Sequence, residues 1–267
     1  MAFSLDSIFT TRTALPRGCG IIEIPPTAEL RPFIRCFWTY DCGLGSHFFR
    51  IIPDCCADII IPLDGTPAFF VGASDNSFIT QKTGDVFGIR LYAWTVAYFL
   101  HINLFDTFNN AIPVNTILKN FDELQLQIID EHDNTCRVDC AQNYLMRLYN
   151  GKICADVMNG IYHAISSDCR VTVKDLSDYC AVSKRTFERR FIDYTGIPPK
   201  TLINLLRYQL LWQTITQSDF SAADSAFKFG YYDEAHLYNS FKQYHGIGFK
   251  QARQEYLKLS HFYNILT

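Results

Sequence analysis

No run of about 18 apolar residues occurs anywhere in the 267-residue sequence, so no membrane-spanning helix is expected. There is no CxxC pair among the ten cysteines (Cys19, Cys36, Cys42, Cys55, Cys56, Cys136, Cys140, Cys154, Cys169 and Cys180). That removes the commonest zinc and dithiol signatures. There is no HxH pair among the seven histidines, so a histidine-rich metal site is not indicated either. Met1–Asp6 lacks a basic region followed by an apolar block, so no secretion leader is expected. The expected location is the cytoplasm, where most of these thiols would be buried and reduced. Charge is scarce as well: 19% of residues are charged and the net charge is -3. With 48% hydrophobic residues, the composition suits a folded globular protein long enough for two domains.

The charge is unevenly placed. From Arg170 onward there are 13 Lys and Arg against 9 Asp and Glu, a balance of +4; the remainder carries 24 - 13 = 11 basic and 27 - 9 = 18 acidic residues, a balance of -7. A basic C-terminal part on an acidic N-terminal part fits a nucleic-acid-binding module joined to something else.

The same pattern occurs twice in that basic part, 50 residues apart: Ser183 and Asp233, Phe187 and Leu237, Phe191 and Phe241, Tyr194 and Tyr244, Gly196 and Gly246, Ile197 and Ile247. Each copy opens with a residue that can cap a helix, continues with apolar residues four apart and closes on Gly-Ile. Each therefore predicts a short amphipathic helix with start and stop signals. A second short helix precedes each across a turn of about three residues, which Gly230 would supply in the second copy. Two helices joined so tightly form a helix-turn-helix, whose second helix can enter the DNA major groove. With Phe187 and Phe191 inward, Lys184, Arg185, Glu188 and Arg189 face outward and Arg190 lies at the flank. Arginine pairs with guanine, glutamate can accept from cytosine, and both cations neutralise phosphate.

Residues 171–253 resemble the DNA-binding domain of the AraC/XylS family of bacterial transcription regulators. The resemblance rests on Val173, Leu176, Ser183, Arg185-Thr186-Phe187, Arg189, Phe191, Gly196-Ile197-Pro198-Pro199, Arg207, Ala223, Ala226, Gly230-Tyr231, Asp233, His236, Phe241-Lys242, Gly246 and Arg253. It implies two helix-turn-helix units joined by a long helix and reading adjacent major-groove segments. The candidate DNA-binding residues, from the outward helix faces and the resemblance together, are Ser183, Lys184, Arg185, Thr186, Glu188, Arg189 and Arg190 in the first unit. In the second they are Asp233, Glu234, Ala235, His236, Tyr238, Asn239 and Lys242. The sequence departs from the family pattern at Ser225, where an aliphatic residue is usual, and at Asn239, where arginine is common. Gly248-Phe249 replaces Ser-Pro, and Leu211 replaces alanine. Most departures fall in the second unit, so that unit's base reading is the weaker expectation.

The expected fold class is α+β multidomain. Residues 1–114 would form a mainly-β, cupin-like barrel with a sensing role, as the resemblance implies; residues 115–168 would be a helical linker or dimerisation segment; residues 169–267 would be the DNA-binding domain. Expected strands are Gly20–Ile24, Phe33–Tyr40, Phe48–Ile52, Asp58–Leu63, Ala68–Gly72, Ser77–Thr80 and Val86–Tyr92, short and rich in Ile, Val, Phe and Tyr. Expected helices are Thr95–Leu100, Asn115–His132, Asp139–Asn150, Ala155 to about Ser167, and Pro199–Gln217. The last would be a rod of roughly 27 Å, close to the ~34 Å repeat of DNA. Ser166-Ser167-Asp168 is the expected domain boundary.

The function expected on these grounds is a sequence-specific, DNA-binding transcription regulator without catalytic activity, cofactor or metal. Its expected partners are a double-stranded DNA operator, a small-molecule effector at the N-terminal part, a second copy of the chain in a homodimer, and RNA polymerase if it activates. Two other classes remain. A DNA-repair methyl acceptor needs a metal-bound thiolate; Cys136 and Cys140 offer half of a four-cysteine cluster, but Cys154 and Cys169 are too widely spaced to complete it. A metal-dependent sensor or barrel enzyme could draw on His47, Asp54, Cys55, Cys56, Asp58 and His101.

Overall fold

The computed structural model describes residues 11–12, 20–43, 47–82, 84–100, 102, 104–149, 151, 154–215, 220–258 and 265–266. Cys19, His101, Asn150 and Gln217, and the side chains of His47, Phe48 and Phe49, lie outside the described residues. The N-terminal part is built on antiparallel strands and the C-terminal part is helical. In chain order the strands are β1 (Thr11–Arg12), β2 (Gly20–Ile24), β3 (Ile34–Asp41), β4 (His47–Ile51), β5 (Cys56–Pro62), β6 (Phe69–Val71), β7 (Phe78–Lys82), β8 (Val86–Tyr92), β9 (Ala111–Pro113) and β10 (Ile265–Leu266). Six of them form a sheet in the order β2-β3-β8-β5-β6-β9; β4 pairs with β7 as a separate ribbon, and β1 with β10.

Alternation along the strands gives the large sheet two unlike faces. Phe37, Ile59, Ile61, Phe87, Ile89 and Leu91 share one buried core with Phe121, Leu124 and Ile128 of α1 (Phe121–Asp130) and Leu145 of α2 (Asn134–Leu148). Cys36, Trp38 and Tyr40 lie on the other face. There Trp38 sits opposite Gly88, where a Cβ would fall 2.0 Å from its ring. The same face carries a buried ion pair. Arg90, 8% exposed, donates to Asp58 from Nε at 3.0 Å, and the Trp38 indole donates to the same carboxylate at 2.8 Å. Asp58 and Arg90 are direct cross-strand partners, so the register itself supplies the counter-ion that burial demands.

The helices between the two parts differ from the sequence expectation. The segment expected to be helical from Asn115 forms a 3-10 turn at Val114–Thr116, and α1 begins only at Phe121. Asn120, with φ 58°, breaks the run between them. Asparagine tolerates this left-handed conformation better than most residues. Helix α2 starts five residues before the expected Asp139, because Asp133 caps the amides of Thr135 and Cys136. The expected helix at Thr95–Leu100 is a 3-10 helix over Ala93–Tyr98. Strand β9 was not expected; Pro113 at its end obscured it.

Beyond these lie α3 (Ala155–Ser166), α4 (Val173–Tyr179), α5 (Lys184–Thr195), α6 (Pro199–Ile215), α7 (Ala222–Lys228), α8 (Glu234–His245) and α9 (Phe249–Lys258). Their core reaches back past residues 166–168. Val157, Ile161 and Ala164 of α3 belong to the same buried cluster as Phe187 and Phe191 of α5. Gly160 makes that approach possible, since a Cβ there would fall 2.7 Å from the Phe187 ring. Helix α6 is buried on most of its circumference by Leu202, Leu205, Leu206, Leu211 and Trp212. That burial is why a helix with a weak amphipathic pattern still forms.

Candidate nucleic-acid interface

Two helix pairs flank α6, namely α4 with α5 and α7 with α8. Each second helix has the expected caps. Ser183 accepts from the Thr186 amide and Asp233 from the His236 amide, which satisfies one otherwise free donor at each N-terminus. Gly196 at φ 72° and Gly246 at φ 81° end the two helices in the left-handed conformation that glycine adopts without strain. Phe187 and Phe191 are buried beneath α5, and Leu237 and Phe241 beneath α8.

The outward faces fall largely where the sequence pattern places them. Ser183, Lys184, Arg185, Arg189 and Arg190 are exposed, while Thr186 and Glu188 are partly so. In the second unit Asp233, Glu234, Ala235, His236, Asn239 and Lys242 are exposed and Tyr238 is half-buried. Not every cation is equally available. Arg190 is ion-paired with Asp156 of α3. Lys184 lies 3.8 Å from Glu188 one turn on, a weak surface pair. Arg185 and Arg189 make no ion pair among the described residues. The Thr186 hydroxyl is bonded to the Ser183 hydroxyl at 2.8 Å, which ties it to the cap.

The two units are not identical. The Val182 amide bonds Ser177 O at 3.0 Å, and the Tyr231 amide bonds Ala226 O at 2.9 Å, so these two turns correspond at an offset of 49. The capping residues, Ser183 and Asp233, correspond at 50. Tyr232 is therefore one extra residue just before the second recognition helix, and it is 93% exposed. A single 50-residue offset across both helices of each unit does not hold. The turn carries left-handed backbone at Ala181 in the first unit, matching Gly230 in the second.

The N-terminal part touches the end of each recognition helix. Gly196 lies against Leu104, where a Cβ would come within 2.4 Å of the backbone, and Tyr194 packs edge-on against Tyr98. At α8 the Ser77 hydroxyl donates to His245 O at 2.8 Å. Gln209 of α6 donates to Pro53 O. His245 is fully buried, its Nδ1 is 2.7 Å from the Tyr208 hydroxyl, and its ring stacks on Phe241. Burial, with a smaller contribution from Arg50, lowers its pKa to about 3.

The metal-sensor ligands are otherwise employed. Asp54 and Asp58 both face Arg90, and burial pushes the Cys55 and Cys56 thiols up. Burial also pushes Cys169 up to about 12, while desolvation and nearby acids raise Cys136 and Cys140. Each of these shifts disfavours the thiolate that a methyl acceptor needs.

Residues 176–255 match a helix-turn-helix domain family. The chain carries a helix-turn-helix domain there. Residues 22–113, ahead of the helix-turn-helix domain, match a domain of unknown function, DUF6597. A search of curated proteins finds no match. Among solved structures, the DNA-binding domain of AdpA in complex with a target DNA is 23% identical; the alignment covers 39% of this chain and 94% of that one, at a TM-score of 0.37. A transcriptional regulator with an AraC-type DNA-binding domain from Chromobacterium violaceum is 20% identical, with 38% and 91% covered and a TM-score of 0.35. ToxT from Vibrio cholerae is 10% identical, with 79% and 97% covered and a TM-score of 0.43.

Proposed function

We propose that this chain is a sequence-specific transcription regulator, without catalytic activity, whose N-terminal part governs how its two recognition helices meet an operator. The observation that carries this reading is the contrast between the ends of those helices. Their N-terminal turns and outer faces are exposed, while both C-terminal glycines are seated on the N-terminal part. Helix α6 has 17 residues, about 26 Å of rod. That length suits two helices entering successive major grooves on one face of a duplex. In this reading residues 169–267 bind DNA through the fourteen side chains named from the sequence, and residues 1–114 sense.

An effector is expected at the junction. A small cleft, with room for about one water molecule, is lined by Ala57, Phe70, Val96 and Leu104 on one side and Thr195 and Ile197 on the other. This is below the usual size of a ligand pocket. A small apolar effector would therefore have to widen it, and widening shifts Leu104 relative to Gly196. Two copies joined through residues 115–168 would double the contacts on an operator, and an activator would also touch RNA polymerase.

The test is selection of bound sequences from a random duplex pool by the full-length protein, with and without cell extract as a source of effector. A selected site spanning two adjacent major-groove segments, with affinity that changes on adding extract, is the expected result. Failure to enrich any sequence under either condition overturns the reading.

A further inference from the structure

The one-residue insertion at Tyr232 creates a problem that His236 solves. In the first unit Val182 is followed at once by the capping Ser183, whereas in the second Tyr231 and Asp233 are separated by Tyr232. The Tyr232 amide donates to His236 Nδ1 at 3.2 Å. A backbone N–H can only donate, so Nδ1 must be the acceptor. The imidazole is then neutral and its proton sits on Nε2. The ring is also braced. It packs edge-on against Tyr231 at 5.4 Å and 81°. Tyr231 is itself buried beneath the Arg207 guanidinium, which donates to Cys169 O at 2.7 Å.

The outcome is an exposed side chain on the first turn of α8 whose tautomer and orientation are both set before any ligand arrives. We propose that His236 is a specificity-determining residue of the second unit, presenting a neutral Nε2–H donor to the N7 acceptor of a purine in the major groove. This rests on the DNA-binding reading above. Every purine offers N7 on that edge, while cytosine offers a donor there, so a fixed donor selects against cytosine at its position. The first unit has no imidazole at the matching position; Thr186 stands there, its short hydroxyl accepting from Ser183 Oγ. The two units thus read by different chemistry: the first with charged arginines, the second with an uncharged donor.

The experiment uses the full-length protein and the operator selected from the pool. Each purine in the second unit's segment is replaced in turn by its 7-deaza counterpart, which lacks N7. One replacement is expected to weaken wild-type binding about three- to tenfold, the range of a single neutral hydrogen bond. The same replacement should leave His236→Ala unaffected. His236→Asn, whose carbonyl oxygen can still accept from the Tyr232 amide, controls for loss of the helix start; its amide donor falls short of where the imidazole Nε2 stood, so it should be equally insensitive. The salt dependence of both variants should match wild type, because no phosphate contact is lost. The proposal is overturned if no 7-deaza replacement weakens wild type or if the penalty persists in both variants. It is equally overturned if His236→Ala lowers the salt slope by about one, the mark of a phosphate contact. Failure to select any operator would sink the DNA-binding reading itself.

Discussion

The Ser77 hydroxyl and the His245 carbonyl are joined at 2.8 Å across 168 residues of chain, tying the loop before β7 to the C-terminus of the second recognition helix. The next residue, Gly246, has φ 81°, and a Cβ there would meet Ser77 Oγ at 2.5 Å and the Arg50 guanidinium at 3.3 Å. Gly246→Ala therefore incurs two separable costs. The left-handed backbone costs about 1–2 kcal/mol for an L-residue, and the clash adds to it. Thermal unfolding should show Gly246→Ala destabilised. Ser77→Gly in the same chain should restore only the clash part. If the two changes prove additive, Ser77 is not seated against this glycine.

His245 gives the stability a defined pH dependence. Its folded pKa of about 3 lies below the ordinary histidine value, so the fold holds the ring neutral. Between those two values the unfolded chain binds a proton that the folded chain does not. Stability from this group is fully present above about pH 6.5 and is lost as pH falls, by up to about 1.4 kcal/mol per unit. His245→Gln should flatten the fall between about pH 6 and pH 4, even if it lowers stability at pH 7 by disturbing the contact with the Tyr208 hydroxyl. Denaturant unfolding of both proteins across that range is the check; parallel pH profiles would contradict the assignment.

The local features of the fold were legible in the sequence because they are local. Ser183, Asp233, Gly196 and Gly246 act within one turn of where they stand, and a capping side chain or a glycine at a helix end carries its meaning in its own chemistry. Strands β2 and β8 were readable because β-rich runs were bounded by turn residues. The rest depended on distance in the chain. Nothing near Asp156 or Gly160 announces that α3 packs under α5. The Tyr232 insertion was concealed by the offset of 50 that holds for the capping residues, although the offset of 49 was there to be counted in Leu176 and Ser225. Arg190 reads as a phosphate ligand until Asp156, 34 positions earlier, is seen beside it.

Gly160 offers a test of that packing. Within a helix, glycine to alanine usually stabilises by about 0.5–1 kcal/mol. Here the new methyl would come within 2.7 Å of Phe187, a side chain with no exposed surface and no room to move. Overpacking of this kind costs about 1–3 kcal/mol. Gly160→Ala should thus lower the melting temperature, and Phe187→Leu should cost less in the Gly160→Ala background than alone. A higher melting temperature for Gly160→Ala would mean that α3 stands further from α5.

The strongest functional expectation is an unequal division of labour between the two units. The exposed face of the first carries Lys184, Arg185, Arg189 and Arg190, and that of the second carries no Lys or Arg before Lys242. Phosphate contacts need positive charge, and Glu234 would be repelled by a phosphate unless it accepts from a cytosine amine. Arg190 is held by Asp156 and Lys184 faces Glu188, which leaves Arg185 and Arg189 as the cations best placed to reach bases. Arg185→Ala and Arg189→Ala should each cost roughly 1–3 kcal/mol on the selected operator. Asn239→Ala and His236→Ala should each cost less. Arg190→Ala should cost less than Arg189→Ala on DNA, yet lower stability slightly by freeing Asp156. Lys242→Ala should weaken all sequences alike and reduce the salt slope by about one, as a phosphate contact does. The measurement is titration of each variant against the operator and a scrambled duplex at several fixed salt concentrations. If Asn239→Ala or His236→Ala loses more affinity than Arg189→Ala, the second unit carries the specificity and the proposed division is wrong.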